Sequence, residues 1–384
     1  MNSRERLLTA LNHQEPDRVP YDLGSNQVTG IHVVAYRALR QALDLPPVEP
    51  SLSDTIQQLA LPDDDLLRRL GADVRGLFPL NSHNWNINEE DEGEHWAYRD
   101  EWGIIHHRMK PDGLYYSVAK VPLDGLDITP QDIERHPWPD MGDPRRVAGL
   151  REQAAAYRAA GYAVLLKDAF AGIFEFAQRI VGMQNCLMMM LINRPTMDAL
   201  FAKLLELKLA YWQTALTELA DVVDVISYAD DYGTQVSQLI SPAMFRDQIK
   251  PLLATMFETI KRLAPNARLF FHSDGNIRPL LPDFAELGVD ILNPVQFTAT
   301  GMDLADLKAT VGNDFAFWGA GVDTQGLLPS GTPQQIKDQV RRNIDILAPG
   351  GGYVFNTIHN IQADVPPQNI IAMWEALQEA GVYA

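Results

Sequence analysis

Cysteine is almost missing from this chain. One residue, Cys186, occurs in 384, which excludes an internal disulfide and any site built from several thiolates. Positive charge is also scarce. Thirty-two Lys and Arg stand against 50 Asp and Glu, a formal net charge of −18 with no basic tract, and that balance repels polyanions, so nucleic-acid binding is set aside. Long apolar runs are missing as well: the longest uncharged one, around Cys186 to Ile192, falls far short of the ~20 residues that span a bilayer. A membrane span is not expected. The N-terminal segment lacks the continuous apolar core of a secretory signal, which with the cysteine count leads to the expectation of a soluble cytoplasmic protein.

With 46% hydrophobic and 21% charged residues, the composition is that of a globular chain and excludes intrinsic disorder. Asn2-Ser3-Arg4-Glu5 has the form of a helix capping box, and Leu7, Leu8 and Leu11 follow at helical spacing. Beyond it, short β-branched or aromatic runs alternate with helix-period stretches, the pattern of parallel strands joined by crossover helices. Eight candidate strands lie at 18–24, 73–79, 163–169, 222–231, 268–275, 289–296, 315–323 and 352–359. Helix-period patterns run between the later ones, at 277–287 and 332–348. Eight such units predict one α/β domain over residues 1–384, a (β/α)8 TIM barrel. Residues 80–162 are too long for one crossover and read as a β-rich insertion between strands two and three, with a hairpin turning at Lys110-Pro111-Asp112-Gly113. It holds Trp85, Trp96, Trp102 and Trp138, four of the seven tryptophans.

The strand ends carry polar residues: Asp22, Lys167 and Asp168, Asp230 and Asp231, His272 and Asp274, Asn293 and Gln296, Asp323, and His359. In a barrel these ends converge on the face that bears the active site. Of the nine histidines (among them His83 and the His106-His107 pair, which reads as solvated surface), only His272 and His359 end predicted core strands. His272 and Asp274, two apart, share a strand face, and His359 can meet them across the mouth. Two imidazoles and a carboxylate make a three-ligand set for a catalytic zinc. A His-x-Asp pair is more often hydrogen-bonded structure, so the residues alone leave both readings standing. Asp230-Asp231-Tyr232-Gly233 offers a base or equally ordinary turn chemistry; Glu175 points into the mouth or simply begins a helix. Cys186, amid Leu187 and three methionines, reads as a core thiol.

Several segments together resemble the uroporphyrinogen decarboxylase superfamily over essentially the whole chain, and within it the corrinoid-linked methyltransferases. They are Ser3-Arg4-Glu5-Arg6, Pro16-Asp17-Arg18-Val19-Pro20, Asp230 to Gln235, Phe271 to Ile277, Ile291 to Gln296, His359 to Gln362, and Asp364-Val365-Pro366-Pro367. The resemblance implies a (β/α)8 barrel. Porphyrinogen decarboxylases of this superfamily hold substrate carboxylates with an arginine-rich loop after the first strand; here Tyr21 to Gln27 contains no arginine, which argues against a polycarboxylate. The zinc methyltransferases carry a His-x-Cys pair and a distant Cys, positions that look like His272, Asp274 and His359 here. Exchanging both thiolates for harder ligands leaves more positive charge on the metal and favours polarising an oxygen over activating a thiol.

The expectation is therefore a methyltransferase moving a methyl group from an O-methyl (possibly methoxylated aromatic) or N-methyl small molecule to the cobalamin of a separate corrinoid protein, with zinc as Lewis acid. Metal ligands would be His272, Asp274 and His359. Asp231 and Asp230 would be catalytic, and Asp22, Asn26, Glu175, Tyr232, Asn293, Gln296 and Asp323 would contact the donor, with the aromatic insertion as an apolar wall. A homo-oligomer is compatible with this reading. The alternatives are a cofactor-independent decarboxylase acting on a smaller substrate and a non-catalytic module binding a corrinoid or small ligand.

Overall fold

The computed structural model describes residues 1–82 and 85–383, so His83 lies outside the described residues. Seven parallel strands form one curled sheet. In chain order they are β2 (Val74–Leu77), β3 (Ala163–Lys167), β4 (Val225–Ala229), β5 (Arg268–His272), β6 (Ile291–Asn293), β7 (Ala316–Ala320) and β8 (Tyr353–Asn356), each beside its sequence neighbour. The eighth position, β1, is reduced to residues 20–22. Phe355 N donates to Pro20 O and Asp22 N to Phe355 O, at 2.8 and 3.0 Å, while on the other side Asp73 N donates to Tyr21 O at 2.7 Å. The sheet thereby closes into a (β/α)8 barrel. The Asp73 carboxylate reinforces that join by accepting Tyr21 N at 2.9 Å and pairing with Arg6 and Arg18 at 2.7 and 2.8 Å.

Strand alternation sorts the side chains. Val74, Ala163, Leu165, Val225, Phe270, Ile291, Ala316, Trp318 and Val354 point inward and form the barrel's own core with Leu7 and Leu11. Those two leucines come from α1 (Ser3–Leu11), whose capping box between Asn2 and Glu5 is present as expected. The helix closes the N-terminal end of the barrel, with Arg4 N on Gly161 O and Gly352 N on Ala10 O, both 2.8 Å. Each fully buried Leu, Ile, Val or Phe in this layer contributes ~1.5–3 kcal/mol. Outward-facing residues such as Val164, Leu166, Phe271 and Phe317 join the larger core beneath the helices.

The insertion is β-rich but divided differently from expectation. It is a four-stranded antiparallel sheet of Glu90–Glu92, His95–Arg99, Ile105–Met109 and Ser117–Lys120. The single stretch expected over 95–109 is itself a hairpin. Asp100 Oδ1 accepts the amides of Trp102 and Ile104 at 3.0 and 2.9 Å, and Gly103 takes a positive φ of 86°, turning the chain there. His106 is not solvated surface. It is buried, stacked on Tyr98 and bonded to Asp100 Oδ2 at 2.9 Å, whereas His107 pairs with Glu92. A further small sheet, Ile31–His32, Leu52–Asp54 and Leu59–Ala60, had no clear signature in the sequence.

Candidate active site

His272 and Asn293 are the last residues of β5 and β6, paired in register. Both point inward, because they continue the faces of Phe270 and Ile291. His272 Nδ1 meets Asn293 Oδ1 at 2.5 Å, and Asn293 Nδ2 donates to Trp318 O at 2.7 Å. The second bond fixes the amide, so Nδ1 is the protonated nitrogen and the Nε2 lone pair faces the mouth. The ladder stops at His272, but Asp274 still turns to the same side: His272 Nε2 and Asp274 Oδ1 are 3.9 Å apart. His359, just past β8, places its Nε2 3.9 Å from Asp274 Oδ2. One donor atom from each of the three residues lies within 4.8 Å of the others.

These residues suit a divalent metal. Bonds of ~2.1 Å in a tetrahedron put donor atoms ~3.4 Å apart, so a donor set lying within 4.8 Å would contract around a bound ion. The buried Asp274 Oδ1 has no hydrogen-bond partner, an unmet acceptor that a cation would satisfy. Asp231 stands beside the cluster, with Oδ1 accepting Asp274 N at 2.8 Å and lying 3.7 Å from His272 Nε2. Burial, with the nearby charges of Asp274 and Glu175, pushes the Asp231 carboxyl up to about 7 against the pull of His272. For His272 burial acts downward, yet Asp274 and Asp231 carry it above its ordinary value; for His359 burial prevails and lowers it.

Asp230 does something else. As the neighbour of Asp231 it faces the opposite way, and its fully buried carboxylate accepts Phe174 N, Glu175 N, Tyr228 Oη and Tyr232 Oη at 3.1, 2.7, 3.0 and 2.6 Å. It anchors the start of helix α2 (Ile173–Val181). A Cβ on Gly172 would sit 2.2 Å from the Asp230 carboxyl carbon, so only glycine permits this approach. Burial raises Asp230 to about 6. Tyr232 is wholly buried against Phe174, Phe245 and Phe271, so the expected substrate contact is core packing.

Asp22 and Asn26 are buried inside the barrel. Asp22 accepts Ser25 Oγ and Trp318 Nε1 at 2.7 and 3.1 Å, with burial pushing it up to about 6. Asn26 bonds Thr29 N and Ser227 Oγ at 3.0 and 3.3 Å. Asn293 serves His272. Asp323 caps a turn by accepting the amides of Gln325, Gly326 and Leu327. Gln296 accepts Gly275 N at 2.7 Å and also borders open space. Glu175 begins α2 and is bonded by Arg179, while its charge reaches Asp231 and both histidines. Asp168 faces outward into a buried ion pair with Lys208 at 2.6 Å.

A cavity of about 600 Å³ opens over the cluster, lined by Asp274, His359, Gln296, Gln325, Asn360, Gln362 and Asp364, with Leu114 and Tyr115 from the insertion. The insertion therefore reaches the mouth, through the loop between its last two strands. Tyr115 Oη donates to Gln362 Oε1 at 2.6 Å, and Tyr116 N to Ile56 O at 2.8 Å. The expected tryptophan wall is elsewhere: Trp102 packs on Phe170, Phe176 and Trp138, and Trp96 lies under Lys110. Glu175 is held by Arg179, a residue the sequence does not single out because their spacing is that of an ordinary helix-surface ion pair.

A barrel whose strand ends present two imidazoles and several carboxylates around one cavity has the architecture of a (β/α)8 enzyme. The uroporphyrinogen decarboxylase (URO-D) family model matches residues 123–380, and the chain belongs to that family. It is 30% identical over 185 residues to the uroporphyrinogen decarboxylase of Legionella pneumophila strain Corby, covering 46% of this chain and 48% of that protein. The strain Paris protein is 31% identical over the same length. The chain thus spans about half the length of the curated relatives it matches. A solved methyltransferase from Methanosarcina mazei shares the fold across 99% of both chains, with a TM-score of 0.66 and 20% identity.

Proposed function

We propose that this protein is a methyltransferase that takes a methyl group from an O-methyl or N-methyl small molecule and passes it to the cobalt(I) of a corrinoid carried by a separate protein. The observation that carries the reading is the cluster of His272, Asp274 and His359, with its unpartnered carboxylate oxygen at the floor of the cavity. The family membership and the M. mazei methyltransferase of like fold support it.

Zinc is the metal we propose for His272, Asp274 and His359, and its contribution would be Lewis acidity toward the heteroatom that bears the methyl group. The remaining chemistry belongs to the chain. Asn293 holds His272 so that Nε2 is free to face the proposed metal site. In the transfer the methyl–heteroatom bond would break with its electron pair left on the heteroatom, while the partner's corrinoid would supply the pair for the new bond to carbon, its cobalt(I) being oxidised to cobalt(III). Asp231, whose Oδ1 lies 3.7 Å from His272 Nε2 and accepts Asp274 N, would orient these groups or exchange a proton with the donor. Leu114 and Tyr115 line the cavity on the side of the insertion and would contribute its apolar contact with the donor.

Metal analysis of the purified protein tests this directly. Stoichiometric zinc is expected, and His359→Ala should lose it while circular dichroism still reports a folded barrel. Transfer of a methyl group from methoxylated aromatics or methylamines to cob(I)alamin should follow the zinc content. A native protein that carries and binds no metal would defeat the proposal.

A further inference from the structure

Two buried polar side chains on the cavity wall have hydrogen-bonding capacity to spare. Gln296, just past β6, is 3% exposed, and its Oε1 accepts Gly275 N at 2.7 Å. That bond fixes the amide and leaves Nε2 as the outward donor. Among the described residues Nε2 meets Thr298 Oγ1 alone, at 3.5 Å, the outer limit of a hydrogen bond. Thr324, past the end of the neighbouring strand β7, is 5% exposed and lines the same cavity. Its hydroxyl has no hydrogen-bond partner among the described residues. The turn that carries it is held by Asp323, whose carboxylate takes the amides of Gln325, Gly326 and Leu327. Gly275 follows Asp274 directly, so Gln296 stands beside the metal cluster.

Polar groups nearly out of water and unmet by the protein cost free energy that a ligand atom of the right kind recovers. The amide of Gln296 offers an N–H, and the threonine hydroxyl can take a hydrogen as well as give one. A ligand hydroxyl, which both accepts and donates, is the complement of this pair. A carboxylate does not suit the place: Asp274 and Asp364 line the same cavity, and among the described residues no Lys or Arg does. Leu114, Tyr115, Pro329 and Ile358 supply apolar wall that fits a ring. The geometry points to Gln296 and Thr324 as the specificity-determining pair for an uncharged, hydroxylated methyl ether, whose hydroxyl they bind while its methyl-bearing oxygen lies over Asp274 and His359. Only that last clause rests on the methyltransferase reading.

The test compares 2-methoxyphenol, methoxybenzene and 2-methoxybenzoate at neutral pH, by calorimetric titration and thermal shift on the full chain. 2-Methoxyphenol should bind about tenfold more tightly than either of the others. Thr324→Val, which removes the hydroxyl and keeps the shape, should reduce that preference severalfold with unchanged circular dichroism. Thr324→Ser should restore it, a rescue that packing alone would not give. Gln296→Met should also reduce it, and if that variant does not fold, the Thr324 pair carries the test. His359→Ala should keep the preference: loss of zinc with the preference intact would refute only the methyltransferase reading. A preference lost in His359→Ala yet untouched in Thr324→Val would belong to the metal and overturns the inference. Equal affinity for 2-methoxyphenol and methoxybenzene, tighter binding of the acid, or no measurable binding of any of the three at millimolar concentration does the same.

Discussion

His272 Nδ1 and Asn293 Oδ1 are 2.5 Å apart, and Asn293 is itself fixed by Trp318 O. The imidazole tautomer is thus set from behind, by a residue with no other duty. Removing that support with Asn293→Ala should weaken zinc binding by ~10–100-fold, while Asn293→Asp, which still accepts from Nδ1, should retain most of it. A competition titration with a chromogenic chelator gives the answer. Identical affinities in all three proteins would mean that Asn293 does not govern the imidazole.

Asp274 is one of two positions where the resemblance to zinc methyltransferases implies a thiolate, and we propose it as a metal ligand. Asp274→Cys should keep zinc bound, yet the more donating sulfur should make the metal a weaker Lewis acid. Methyl transfer to cob(I)alamin should therefore fall while zinc content does not. Undiminished transfer at full occupancy would show that a hard ligand is not required.

Asp230 satisfies two backbone amides and two tyrosine hydroxyls from a wholly buried position. Asp230→Ala strands those donors, and unmet buried groups cost ~1–3 kcal/mol each before relaxation. A loss on the order of 3 kcal/mol in urea unfolding is expected. A loss well under ~1 kcal/mol would contradict the anchoring role.

Asp22 titrates at about 6 in the folded protein because it is buried, against ~3.9 unfolded. The folded form therefore holds its proton more tightly. Its contribution is fully present below the unfolded value and is lost as pH rises from ~4 to about 6. Asp22→Asn removes the proton from the comparison, so the stability of wild type relative to the variant should decline across that window. Thermal unfolding at half-unit intervals of pH checks the slope. A difference that stays constant from pH 4 to 7 would rule the assignment out.

The strands were legible because their inner and outer faces both pack, leaving apolar runs such as Ala163 to Leu166 and Arg268 to His272 with polar ends. The metal-like cluster was legible for the same reason, since polarity at a strand end marks the mouth. What sequence could not separate was direction. Asp230 and Asp231 look alike in the chain, yet one step along it sends the first outward to α2 and the second toward His272 and Asp274. Tyr232 resembled a site residue only by its neighbours. Arg179 was obscured differently, because its ion pair with Glu175 has the spacing of an ordinary helix surface.

The barrel's join at β1 also has a temporal side. Tyr21 is held on one flank by Asp73 and on the other by Phe355, residues separated by most of the polypeptide. During synthesis the first flank is available early, but β1 and β2 remain the rim of an open sheet until the segment around Phe355 has emerged. Closing that ring is a long-range event with a high loop-entropy cost. A nascent chain halted before β8 would expose an unpaired parallel edge together with Trp318 and Phe270, so truncated products of this gene should depend on chaperones far more than the finished protein does.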